Sequence, residues 1–131
     1  MLVTSSAVVS RRRCATALCY FFRMDPHRIA EERSVAYHGA IAEKIRRDSE
    51  VLDRARQRVE EWIRSAAQPP FYAQKWAEVL ARDVPSVTSF LVERSELATE
   101  LRQSSPFAGA LTPQERWAIF REFQARLAPE P

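Results

Sequence analysis

The chain has 131 residues, enough for one domain with its own hydrophobic core. It holds 2 Gly, against 20 Lys and Arg and 17 Asp and Glu, a composition that favours helices over strands joined by tight turns. The net charge of +3 arises in the first 23 residues, which contain four arginines and no acid, so a uniformly basic nucleic-acid-binding face is not implied for the rest.

The first 23 residues differ from the remainder of the chain. They contain both cysteines, Cys14 and Cys19, whose spacing fits neither a CxxC pair nor a set of metal ligands. Their apolar stretch is much shorter than the roughly 18 residues of a membrane span. We therefore expect a cytoplasmic protein in which residues 1–23 are a disordered arm or precede the true start at Met24, followed by a helical domain over residues 24–131.

The domain begins with two predicted helices. Asp25 and Pro26 suit the N-cap and first position of a helix that apolar residues at helical spacing extend to about Arg47. Asp48 or Ser49 can cap a second helix. That helix is predicted to end near residue 65, and its apolar stripe consists of Leu52, Ala55, Val59, Trp62 and Ile63.

Prolines separate the later helices. Pro69–Pro70 ends the second helix, and a third is predicted from Phe71 to Arg82. Ser86 is a candidate cap for an unbroken fourth helix that ends before Pro106. Thr112 to Glu115 has the spacing of a capping box and opens a fifth helix, whose stripe consists of Trp117, Phe120, Phe123 and Leu127.

No segment alternates apolar and polar residues long enough to predict a strand, so the sequence predicts an all-α single domain of four to five helices. All three tryptophans lie on the apolar stripes, which predicts core anchors. Several arginines follow an acid by one helical turn, a spacing typical of solvated helix faces. These pairs are Glu43–Arg47, Glu50–Arg54, Glu60–Arg64, Glu78–Arg82 and Glu122–Arg126.

Several kinds of site find no support. The two glycines, Gly39 and Gly109, cannot form a phosphate-binding glycine loop. Neither His27 nor His38 follows a Glu by three residues, as a helical metal site would require, and the GxSxG motif of hydrolases is absent. We therefore expect no cofactor and no metal, and a binding protein rather than an enzyme.

One motif nevertheless points to catalysis. Arg33 and His38, separated by four residues, resemble the Rx4-6H motif of the HEPN superfamily, all-helical proteins many of which are metal-independent ribonucleases acting as dimers. The resemblance implies that Arg33 binds the scissile phosphate and that His38 is the acid or base. The residues alone also allow a structural arginine and histidine, because five residues on a regular helix separate two side chains by about 140°.

A second resemblance covers roughly residues 30–123. Its residues include Arg33–Ser34, His38, the segment Ser104-Ser105-Pro106-Phe107-Ala108-Gly109 and the triplet Glu115-Arg116-Trp117. The chain is similar to short, mostly uncharacterised helical proteins of bacteria in two-gene modules of the toxin–antitoxin kind. This resemblance implies a helical companion protein and transfers no catalytic residue.

The segment around Phe107 is predicted to be a loop, in which this side chain either plugs the core or anchors a partner. We take Phe107, Ser105 and Trp117 as candidate partner-binding residues. The expected function is that of a regulatory, antitoxin-like component that binds a protein, for example the product of a neighbouring gene, or pairs as a homodimer. The alternatives are a HEPN-like endoribonuclease and a DNA-binding regulator.

Overall fold

A computed structural model of the chain describes residues 25–127, so the predicted arm, Met24 and both cysteines lie outside it. Within that range there are six helices and no strand, which confirms the all-α class and adds one helix to the predicted number. They are α1 (Pro26–Arg47), α2 (Glu50–Ser65), α3 (Phe71–Leu80), α4 (Val84–Leu91), α5 (Glu96–Arg102) and α6 (Pro113–Leu127).

The first and last helices, α1 and α6, begin where local caps predict. The Asp25 carboxylate accepts a hydrogen bond from the Arg28 amide at 2.8 Å, with Pro26 at the first helical position. Thr112 and Glu115 form the reciprocal capping box: the Thr112 amide donates to the Glu115 carboxylate at 2.9 Å, and the Glu115 amide donates to the Thr112 hydroxyl at 3.1 Å.

The predicted fourth helix is wrong in two respects. Asp83, not Ser86, caps α4, accepting a hydrogen bond from the Ser86 amide at 3.1 Å. The helix then stops at Leu91, and Ser95 caps the separate helix α5. The break follows from polar residues at the positions where the apolar stripe would have continued, and Arg102 stabilises it by donating to the carbonyls of Leu91 and Glu93.

The described helices share one hydrophobic core. Helix α1 is central, because it contacts α2, α4, α5 and α6, whereas α6 contacts α1 alone among the described helices. Trp76 of α3 is fully buried, and the edges of the Phe90 and Phe107 rings meet it at centroid distances of 5.9 and 6.0 Å. None of these helices is both long and apolar enough to cross a membrane.

Two further expectations need correction. Trp76 is a core anchor and Trp62 is half-buried, but Trp117 is exposed because only one side of α6 is covered. Among residues 25–127, only two of the five predicted ion pairs are found, Glu50–Arg54 at 3.2 Å and Glu122–Arg126 at 3.4 Å. Glu43 instead pairs with Arg46, and Glu78 with Lys75.

Candidate functional site

His38 lies on the buried side of α1, in line with Ile41, Ala42 and Ile45, and only 5% of its surface is exposed. Its Nδ1 lies 2.8 Å from the Ser34 carbonyl oxygen, and its Nε2 lies 2.9 Å from the Ser105 hydroxyl. Because a carbonyl can only accept, Nδ1 carries the proton. Nε2 therefore accepts a hydrogen bond from the Ser105 hydroxyl.

Burial lowers the pKa of His38 from 6.5 to about 4; the hydrogen bond to the Ser34 carbonyl opposes this shift, and the positive charge of Arg102 adds to it. The imidazole is consequently neutral at pH 7. A general acid or base works best with a pKa near the operating pH. In this state His38 acts as a hydrogen-bonding residue that holds Ser105 in place.

The loop over residues 103–112 is held by bonds from three helices. His38 of α1 accepts from Ser105, and Arg58 of α2 donates to the carbonyls of Pro106 and Ala108 at 3.1 and 2.7 Å. The Trp76 indole of α3 donates to the Leu101 and Ser104 carbonyls at 3.1 and 2.9 Å. These bonds hold the loop against α1, α2 and α3, and they pair the carbonyl of the buried Pro106.

Phe107 points inward from this loop. It is 5% exposed and belongs to the hydrophobic core, where its ring meets His38 and Trp76 edge-on. Gly109 follows with a φ of +82°, a backbone conformation that glycine adopts without strain. The turn is closed by a 3.0 Å bond from the Ala110 amide to the Phe107 carbonyl. Of the two predicted roles, the loop conformation matches the plug.

A cavity of about 360 Å³, which we call the polar pocket, lies beside His38. It is bounded by α1, α5, the 103–112 loop and α6. Arginines from three helices line it, namely Arg33, Arg102 and Arg116, and no Asp or Glu of the described residues does. The Arg102 guanidinium is largely buried and is held by backbone carbonyls. The pocket is therefore a concave site of positive charge.

The polar pocket borders a wider groove of about 940 Å³, which we call the aromatic groove. The two share Tyr37, Ala108 and Arg116 as lining residues. In the groove, Trp117 is 58% exposed and stacks on Phe120 at a centroid distance of 5.8 Å. An exposed indole beside a concave surface is typical of interaction sites.

Guanidinium groups flank these rings. Arg116 lies 4.6 Å from the centroid of Tyr37, and Arg33 and Arg121 each lie 6.0 Å from the centroids of Phe120 and Trp117, respectively. None of these three arginines forms an ion pair within residues 25–127. The apolar surface of the groove is therefore bordered by three arginines that form no ion pair with the described part of the chain.

The structure thus brings together most of the residues that the sequence singled out. Arg33, His38 and Ser105 line one pocket, Phe107 is buried against it, and Trp117 lies in the adjoining groove. Within residues 25–127, no group of three or more His, Cys, Asp or Glu side chains is arranged to hold a metal ion.

Arg102, Tyr37 and Phe120 line the site but were not predicted as site residues, and Arg116 was noted only within a motif. One signal was available for the arginines: Arg33, Arg102 and Arg116 each lack an acid four residues earlier, unlike the five arginines assigned to solvated faces. Comparison of this chain with protein-family models, with curated proteins and with solved structures finds no match.

Proposed function

We propose that this protein is a binding protein, a regulatory or antitoxin-like companion that accepts an acidic, amphipathic segment of a partner protein in the aromatic groove. The observation that carries the proposal is the exposed Trp117, stacked on Phe120 within a groove of about 940 Å³. Tryptophan and arginine are the residue types that contribute most binding energy at protein interfaces.

The charge around the groove favours an acidic partner. Arg33, Arg116 and Arg121 contact aromatic rings and have no carboxylate partner within residues 25–127. Carboxylates on an incoming segment would form charge-assisted hydrogen bonds with these groups. An amphipathic helix suits such a surface, because its apolar side chains can enter the groove while its charged side chains reach the rim.

The test compares two exposed aromatic residues. Trp117→Ala should weaken binding to the protein encoded beside this gene by about 2 kcal/mol, roughly 30-fold in Kd, since central interface tryptophans typically lose that much on truncation. Phe71 of α3 is 54% exposed and lies away from the groove, so Phe71→Ala is the matched control and should leave Kd unchanged. Isothermal titration calorimetry would measure both.

Equal losses in the two variants, or no loss with Trp117→Ala, would contradict the proposal. Partner binding that does not weaken with added salt would contradict the acidic nature of the partner.

The geometry supports the endoribonuclease alternative less well, because the His38 imidazole is enclosed and neutral. Metal-independent RNA cleavage that is lost in Arg33→Gln would favour that alternative instead.

A further inference from the structure

The polar pocket holds positive charge that the fold itself does not use fully. Arg102 is engaged by the protein: its Nη1 donates to the carbonyls of Leu91 and Glu93, and its Nη2 lies 3.3 Å from the Thr99 hydroxyl. Glu31, Glu32 and Glu93 partly offset its charge. Arg102 therefore contributes to the electrostatic field of the pocket rather than a full set of free donors.

Arg33 and Arg116 are different. Both line the pocket, and within residues 25–127 neither has a carboxylate within ion-pair distance. Arg33 and Arg116 instead lie over the rings of Phe120 and Tyr37, respectively, contacts that leave the guanidinium N–H groups able to donate in the plane of the group. Two planar groups from α1 and α6 thus face one concave site.

The hydroxyl of Ser105 narrows the choice of ligand. It donates a hydrogen bond to His38 Nε2 and accepts one from the Phe107 amide at 3.3 Å, so toward a ligand it can only accept. The charged donors of the pocket that do not donate to the backbone are then the guanidinium groups of Arg33 and Arg116, whose fork geometry matches the two oxygens of a carboxylate. Phosphate oxygens can pair with the same fork, so inorganic phosphate is the competing ligand in the test.

We infer that the polar pocket binds a carboxylate of the same segment whose apolar side chain occupies the aromatic groove, with Arg33 and Arg116 as its ligands. The inference rests on the proposed function. It adds which residues of the partner are recognised, namely an apolar residue next to an acidic one. The shared lining by Tyr37, Ala108 and Arg116 supports it, because it places the two subsites side by side.

Short peptides with acetylated and amidated ends can test whether the pocket binds a carboxylate, without knowledge of the partner. N-acetyl-Phe-Glu-amide should bind the full chain about tenfold more tightly than N-acetyl-Phe-Gln-amide, since hydrogen bonds to a charged group are stronger than those to a neutral one. A second pair, N-acetyl-phenylalanine and its amide, distinguishes a chain-terminal carboxylate from a side-chain one. Saturable NMR shifts of the His38 ring and of the arginine Nε–H groups would report binding.

The variants separate the pocket from the groove. Arg116→Gln should abolish the preference for Glu over Gln, whereas Arg28→Gln, an exposed arginine of α1 outside the pocket, should preserve it. Trp117→Ala should lower the affinity for the Glu and Gln peptides equally, since this substitution alters the groove and not the pocket. Equal binding of the Glu and Gln peptides, no saturable binding of either, or tighter binding of inorganic phosphate at equal ionic strength would overturn the inference.

Discussion

At the scale of single residues, His38 links the core of the protein to its candidate site. It occupies a position of α1 that would ordinarily be apolar, and it is tolerated there because both ring nitrogens are hydrogen-bonded. Its bond to Ser105 joins residues 67 positions apart in the chain. A protonated imidazole could not accept this bond, so the neutral form and the loop position depend on each other.

This coupling predicts a pH-dependent stability. As the pH falls from 6.5, the unfolded chain binds a proton at His38 that the folded chain, with a pKa of about 4, does not. The free energy of unfolding should therefore fall, by about 2 kcal/mol at pH 4.5. Urea unfolding at a series of pH values would measure it.

The second histidine supplies the control. His27 is exposed and contacts Glu31 of the same helix at 3.1 Å, so His27→Gln should change the slope of the unfolding free energy against pH between 6.5 and 4.5 far less than His38→Gln, which removes the contribution of the buried ring. The slope is informative even if His38→Gln lowers stability at every pH. An unchanged slope in His38→Gln would show that another group titrates in this window.

At the scale of helices, one carboxylate joins the start of α6 to α1. The same Glu115 oxygen accepts from the Lys44 ammonium at 2.8 Å and from the Thr112 amide at 2.9 Å. The Lys44 bond and the Thr112 amide hold the pKa of Glu115 down at about 2. Because α6 contacts α1 alone among the described helices, this junction also positions Arg116 and Trp117 at the site.

We expect Glu115→Ala to lower the free energy of unfolding by about 1 kcal/mol, the usual cost of removing a helix cap. Glu122→Ala, on the same helix, removes an exposed pair with Arg126 and should cost less than about 0.5 kcal/mol. Since the folded pKa of Glu115 is lowered, its contribution should persist above pH 4.5 and be lost as the pH falls toward 2. Equal losses of stability from the two substitutions would contradict the stabilising role of Glu115 between α6 and α1.

At the scale of the whole molecule, the core and the candidate site share the 103–112 loop. Phe107 packs against Trp76 inside the core, while its neighbours Ser105 and Ala108 line the polar pocket. A substitution in the core is therefore expected to reach the site through the backbone of this loop, without any direct contact between Phe107 and a partner.

Phe107→Ala should lower the free energy of unfolding by about 3 to 5 kcal/mol, because it removes a buried aromatic ring and leaves a cavity. Partner binding should weaken as well, through displacement of the loop. Phe71→Ala, at an exposed position, is the control and should change stability by less than about 0.5 kcal/mol. A loss below 1 kcal/mol for Phe107→Ala would mean that the plug contributes little to the core.

The helices and most of their ends could be predicted from the sequence because their signals are local. Asp25 with Pro26 and Thr112 with Glu115 satisfy backbone groups within one turn, and Pro69–Pro70 separates α2 from α3, with Pro70 at the N-cap of α3. Arg33, Ser105 and Trp117 were likewise identified from motifs. None of these signals depends on how the helices pack.

The tertiary structure decided what the periodicity left open. Trp76 and Trp117 both lie on apolar stripes, but the first is covered by neighbouring helices and the second, on a helix with a single neighbour, is not. The break after Leu91 is stabilised by Arg102, near the end of α5, which donates to the carbonyls of Leu91 and Glu93. The bond between His38 and Ser105 forms only when α1 and the loop meet, since contacts between distant segments are determined by packing rather than by local sequence.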